Sequence, residues 1–213
     1  MKKSLCLFLI LILIPSVCLA EANSALNTIW GIDIGMSAYD AAAAAQKSTG
    51  FDVMPLPSPD EKEVAFFYAK LGENSSLLGV KLENIFIYPE GRPIPANDTA
   101  AAWEKISIIF DTTAAASSYG TLYDALCASY GEPDSAAFTT NRLGLTGTNP
   151  TDQTFPVFSD GFSAAVVQVA IDGGLEVSLN SRWKNITLTL VPDDGELFLY
   201  LEVYASESGL IFY

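Results

Sequence analysis

Residues 185–191 alternate with a period of two ahead of a tight turn and a second β-type run, and this stretch constrains the fold more than any other. In NITLTLV, Ile186, Leu188 and Leu190 are separated by Thr187 and Thr189, so a strand there buries one face and wets the other. ELFLYLEVY (196–204) follows across Pro192-Asp193-Asp194-Gly195, and the pair reads as an antiparallel hairpin. A second hairpin is expected upstream, where AAVVQVAI (164–171) meets LEVSLNSRW (175–183) across Asp172-Gly173-Gly174. EVAFFYAK (63–70), LLGVKLENIFIY (77–88) and ISIIFD (106–111) are further β-type runs.

Two segments have helical punctuation instead. WGIDIGMSAYDAAAAAQKSTG (30–50) opens with two glycines, but Gly31 and Gly35 have neither the phosphate-loop nor the dinucleotide spacing. Residues 30–35 read as a short strand and 37–49 as a helix. Ser37 is the N-cap, Asp40 its capping-box partner, Ala41 to Ala45 strong helix formers, and Gly50 the C-terminal stop. SSYGTLYDALCASYGEP places Tyr119, Leu122, Leu126 and Tyr130 on one face, with Ser118 as cap and Gly131 as stop. Caps and stops of the two helices lie about 80 residues apart, as do WEKISIIF (103–110) and WKNITLTL (183–190). The chain therefore reads as α+β: two helices packed on one face of antiparallel sheet, in a tandem repeat of a helix-plus-strands unit. The expected repeats are 28–111 and 112–213, sharing one core.

The Gly35-Met36-Ser37 helix start, the helix-then-strands order and the doubling resemble the β-lactamase inhibitory protein family and the small lipoproteins of the outer-membrane β-barrel assembly machinery. The resemblance implies an exported module of two helices on antiparallel strands that works by binding other proteins. The inhibitor's disulfides have no counterpart here. Val17 before Cys18 departs from a lipidation box. No functional residue transfers.

MKKSLCLFLILILIPSVCLA has the layout of a secretory leader: two lysines, an apolar run from Leu5 to Ile14, then small residues up to Ala20. The run is too short for a membrane span, and no second run of that length follows. Cleavage after Ala20 would give a secreted or cell-envelope protein. It would take Cys6 and Cys18 with it and leave Cys127 alone, so no internal disulfide can form. It would also deepen the net charge from −14 to about −16. So acidic a chain is a poor partner for nucleic acid or anionic membrane. The chain contains no histidine. This argues against the Ser-His-Asp and Cys-His nucleophile systems and most zinc hydrolase sites. No cofactor motif is present. Ser181-x-x-Lys184 lies in a strand without the companion motifs of serine acyl enzymes. Asp193, Asp194 and Glu196 lack calcium-loop spacing and read as a polar turn. Asn74, Asn97 and Asn185 stand in glycosylation sequons, which matter only in a eukaryotic secretory pathway.

Three Pro/Gly-rich connections interrupt the layout, at 54–63, 88–99 and 140–161. The last is long for a compact domain, where such loops tend to carry function. Its Arg142, Phe155 and Phe158 are the candidate partner-binding residues, since Arg and aromatic anchors dominate protein interfaces. Trp30, Trp103 and Trp183 each read as standing at a strand start, in core or rim packing. The function expected from these observations is a non-catalytic exported module that binds a protein or cell-envelope component. The alternative is a carboxylate-pair hydrolase such as a glycosidase, whose chemistry needs no histidine.

Overall fold

The computed structural model describes residues 29–33, 35–57, 62–71, 75–142, 162–193 and 196–205. These form one antiparallel sheet with three helices. In chain order, helix α1 (Ala38–Thr49) is followed by β1 (Met54–Pro57), β2 (Glu63–Lys70), β3 (Ser76–Leu77), β4 (Val80–Pro89), β5 (Ile94–Pro95) and β6 (Trp103–Phe110). Helix α2 (Ala115–Tyr130) precedes β7 (Ser135–Arg142). Helix α3 (Ala164–Asp172) leads into β8 (Leu175–Trp183), β9 (Ile186–Asp193) and β10 (Glu196–Tyr204). The sheet order is β1-β2-β4-β6-β10-β9-β8-β7, with β3 beside β4 and β5 beside β2. β10, the last strand among the described residues, thus sits in the middle, paired with β6 on one side (Leu201 opposite Ile108) and β9 on the other (Leu201 opposite Leu188).

Helix α1 starts as its sequence dictates. The Ser37 hydroxyl accepts from the Asp40 backbone N–H at 3.1 Å and donates to the Asp40 carboxylate at 3.0 Å. Gly50 ends the helix at φ 73°, ψ 8°, a left-handed conformation that glycine adopts without strain. Ala38, Ala41, Ala42 and Ala45 are buried, and their small side chains bring the helix axis close to the sheet. Tyr39 crosses Phe67 edge-to-face with ring centroids 4.8 Å apart. Helix α2 begins earlier than its sequence indicates. Its N-cap is Ala114, without a side-chain hydrogen bond, so Ser118 stands inside the helix. Tyr119, Leu122, Tyr123 and Leu126 are buried on its sheet-facing side, whereas Tyr130 is exposed. Each fully buried leucine contributes about 1.5–3 kcal/mol of transfer free energy. Gly131 is the stop, at φ 82°.

Several expectations are corrected. Residues 164–171 form helix α3, not a strand, and Gly173-Gly174 turns from that helix into β8. A short apolar run rich in valine fits either state by periodicity. Here Val167 is buried between α2 and the sheet, while Val166 and Val169 face outward. The strand that pairs with β8 in the expected hairpin's place is β7, in register from Ser135 opposite Arg182 to Arg142 opposite Leu175. Residues 30–35 hold no strand among their described members. A 3-10 turn (Ile29–Gly31) leads there instead, with Trp30 at φ 54°. The Pro-rich 54–63 connection contains edge strand β1, and 88–99 contains β5. Among the described residues there are three α-helices rather than two.

Of the tryptophans, only Trp103 opens a strand, because Trp183 closes β8. Both are buried and act as pegs. Trp103 donates its indole N–H to the Asp33 carbonyl at 3.0 Å ahead of α1, and Trp183 to the Gly131 carbonyl at 2.8 Å behind α2. The two Trp-x-x-Ile segments therefore occupy different places. Residues 103–110 are the whole of β6, whereas 183–190 straddle the end of β8 and the start of β9. All three helices join a single hydrophobic cluster with the inward rows of the sheet. No helix among the described residues is long and apolar enough to cross a membrane.

Candidate functional site

Strand alternation divides the sheet into a helix-covered row and an open row. Phe67, Ala69, Ile85, Ile87, Ile106, Ile108, Leu199 and Leu201 point into the core. Most of the residues between them are half-buried, Ser107 being buried, and many are aromatic. Phe66 and Tyr68 come from β2, Phe86 and Tyr88 from β4, Tyr200 and Tyr204 from β10. An open antiparallel face is ordinarily polar. Here it carries a ring cluster: Phe66 lies 5.4 Å from Phe86 and 5.6 Å from Tyr88, and Tyr68 lies 5.1 Å from Phe86.

The centre of this face is charged. β6 places Lys105 opposite Tyr88 of β4 and Tyr204 of β10. Its ammonium sits 4.9 Å from the Tyr88 ring centroid and 5.9 Å from that of Tyr204. It pairs with the Glu202 carboxylate at 2.6 Å, both side chains being less than one-fifth exposed. Tyr204 donates to the second Glu202 oxygen at 2.8 Å. The Arg92 guanidinium also lies over the Tyr88 ring, 4.5 Å from its centroid. Burial raises the Tyr88 phenol above its ordinary pKa, with Arg92 partly opposing and Glu202 adding to the rise. Burial and then Glu202 also raise Tyr200 and Tyr204. These phenols remain protonated donors at neutral pH.

Beyond β10 the same face turns to hydroxyls and amides. Thr187 and Thr189 of β9, Ser178 and Asn180 of β8 and Thr139 of β7 line a hollow of about 780 Å³, with Lys105, Glu202 and Tyr204 at its other side. Asn180 donates to the Thr189 hydroxyl at 3.0 Å, which fixes both side chains. The face is therefore built from an aromatic half and a hydroxyl half, joined at a satisfied Lys–Glu–Tyr cluster.

Of the sequence-selected residues, Arg142 is the last residue of β7, and Phe155 and Phe158 lie outside the described residues. Residues 1–20, read above as a leader, lie outside them too, as do Asn74 and Asp194. Ser181 is fully buried and accepts from the Tyr119 hydroxyl at 2.8 Å, which explains its Ser-x-x-Lys match as structural. Asn185 donates its side-chain amide to the Tyr204 carbonyl at 2.8 Å. Cys127 is half-buried beside Tyr123, and burial raises its thiol pKa, which makes it a poor nucleophile. Among the described residues no group of three or more His, Cys, Asp or Glu side chains is placed to hold a metal ion. Glu104 and Glu202 are the carboxylates lining the hollow, and Glu202 is held by Lys105 and Tyr204. A sequence signal for the open face did exist. EVAFFYAK, ENIFIY and ELFLYLEVY put aromatic or large apolar residues at both parities, so neither face of those strands is plainly polar. Comparison with protein-family models, with curated proteins and with solved structures found no match for this chain.

Proposed function

We propose that this protein is a non-catalytic binding module, acting outside the cytoplasm, whose open sheet face docks another protein. The observation that carries the reading is the aromatic row around Tyr88, with Arg92 and Lys105 over its ring and Glu202 locked beside it. Tyrosine, phenylalanine and arginine are enriched at protein interfaces because rigid rings supply contact area at low entropic cost. The charges at the centre are already paired, so a partner meets a surface fixed in shape and not a reactive group. The leader-like residues 1–20 support export.

We also read 28–111 and 112–213 as copies of one helix-plus-strands unit. In support, α1 precedes β1, β2, β4 and β6, and α2 precedes β7, β8, β9 and β10. The two sets of four meet edge to edge through β6 and β10. The equivalence this implies is β6 with β10, not the Trp-x-x-Ile pairing.

The test is capture of partners from the native envelope and medium with the leaderless chain, a Phe86→Ala/Tyr88→Ala variant, and a variant lacking 143–161. The face variant should lose a specific partner by at least about tenfold while the deletion keeps it, since truncating an interfacial aromatic anchor costs about 2 kcal/mol or more. Equal recovery by all three forms refutes the assignment to this face. Turnover of a glycoside by the purified chain refutes the non-catalytic reading.

A further inference from the structure

The two ends of the sheet are built differently. β1 is four residues long and contains Pro55 and Pro57, which cannot donate to another strand. It is a guarded edge. β7 at the other end is eight residues long, free of proline and acid, and paired with β8 along its whole length. Among the described residues no strand pairs with its outer side. A long edge of this kind, with a row of backbone N–H and C=O groups, is a template for strand addition.

The helix layer beside that edge is also unfinished. Ala165, Val166, Val169 and Ala170 of α3, with Phe138 of β7 and Leu175 of β8, line an apolar groove of about 400 Å³. Val169 is 72% exposed and Val166 39%. β7 and the exposed turns of α3 carry little negative charge in a chain of net charge −14, although Asp134 directly precedes β7 and Glu176 of β8 stands opposite Asn141. β7 carries only Arg142, and α3 carries no acid before its final residue, Asp172. Two copies of so acidic a protein repel over most of their surface. Here they repel less.

From this juxtaposition we infer that the β7–α3 edge is a self-association surface, its occupant a second copy of this chain. A two-fold axis perpendicular to the sheet would set β7 antiparallel to β7 of the second copy. It keeps the helices of both copies on one side, so the same operation extends the sheet and brings the two α3 valine faces together. A second copy supplies a strand and an apolar helix at once, and it meets a surface with few acids. The edge is about 27 Å long and about two layers, or roughly 20 Å, deep. Such an area is at the low end of specific interfaces, so the dimer should be reversible. The aromatic face proposed above stays free in it, so this inference and the docking reading stand or fall separately.

The test is sedimentation of the leaderless chain from about 1 to about 300 µM, with amide exchange of 135–142 followed over the same range. The expected result is a monomer–dimer equilibrium in which amides of 135–142 gain protection with concentration and those of 54–57 do not. Val169→Glu, on an exposed helix position, should weaken the dimer at least about tenfold, while Met54→Glu at the guarded edge leaves it unchanged. A monomer at every concentration overturns the inference. So does a dimer indifferent to Val169→Glu, or protection of 135–142 that is already complete in the monomer, which would assign the edge to a segment of the same chain.

Discussion

The hydrogen bond between Tyr119 and Ser181 ties α2 to β8 through the middle of the core, and both residues are fully buried. Tyr119→Phe keeps the ring and deletes the donor, leaving the serine oxygen without that partner, at a cost of about 1–2 kcal/mol. Ser181→Ala leaves a phenolic O–H in the core with nothing to donate to, at a cost of about 1–3 kcal/mol. The double variant removes both polar groups together and should cost less than the sum, with a coupling energy of about 1 kcal/mol or more. Urea unfolding followed by tryptophan fluorescence reads this, because Trp183 packs 5.6 Å from Tyr123 in the same layer. The pair also sets an alkaline limit. Burial raises the Tyr119 pKa well above that of an unfolded tyrosine, the Ser181 bond only partly opposing. The stabilisation is then complete below about pH 10 and falls as pH rises above it, because the unfolded chain ionises first. Tyr119→Phe should flatten that fall. Additive single-variant costs, or an unchanged alkaline slope, would refute the reasoning.

Three more outcomes can be measured. Gly120→Ala would put a Cβ 3.0 Å from a Phe162 ring carbon, and that crowding should outweigh the helix-propensity gain for a net loss of about 1 kcal/mol by thermal unfolding. Gly50→Ala forces a left-handed φ on a residue with a Cβ and should cost about 1 kcal/mol, with α1 amides near 46–50 exchanging faster. The Asp111 carboxyl is lowered to about 2, first by hydrogen bonds from Thr113 and then by Lys81 at 3.0 Å. Its contribution is present above the unfolded carboxylate pKa near 4 and is lost as pH falls towards 2. Carbon-detected titration should find the low value, and Lys81→Met should raise it.

The parts of the fold legible in sequence are those whose signal is local. Ser37, Asp40 and Gly50 set the ends of α1 by their own backbone chemistry. The β9–β10 hairpin follows from the alternation of NITLTLV and the turn-forming residues after it, although β9 runs on through Pro192 and Asp193. Where a signal needs the neighbouring layer to interpret it, the reading failed. AAVVQVAI fits strand or helix until α2 and β8 leave room only for a helix. SAAFTTNR carries too little apolar pattern to announce β7, because an edge strand buries few side chains. The open face is hard to read in the sequence for a related reason. A long loop singles out Arg142, Phe155 and Phe158 within one segment, whereas the ring cluster of Phe66, Phe86 and Tyr88 comes from two strands. Lys105 and Glu202 add two more. Only the sheet register brings them side by side.

The placement of β10 between β6 and β9 has a consequence for biosynthesis. Every other strand has left the ribosome before the one that bridges the two sides of the sheet exists. Until then β6 and β9 each lack a neighbour, and a nascent chain can gain only the contacts within either side. The closing step joins residues nearly a hundred positions apart along the chain, the kind of non-local pairing that slows folding and lengthens the time spent open to chaperones.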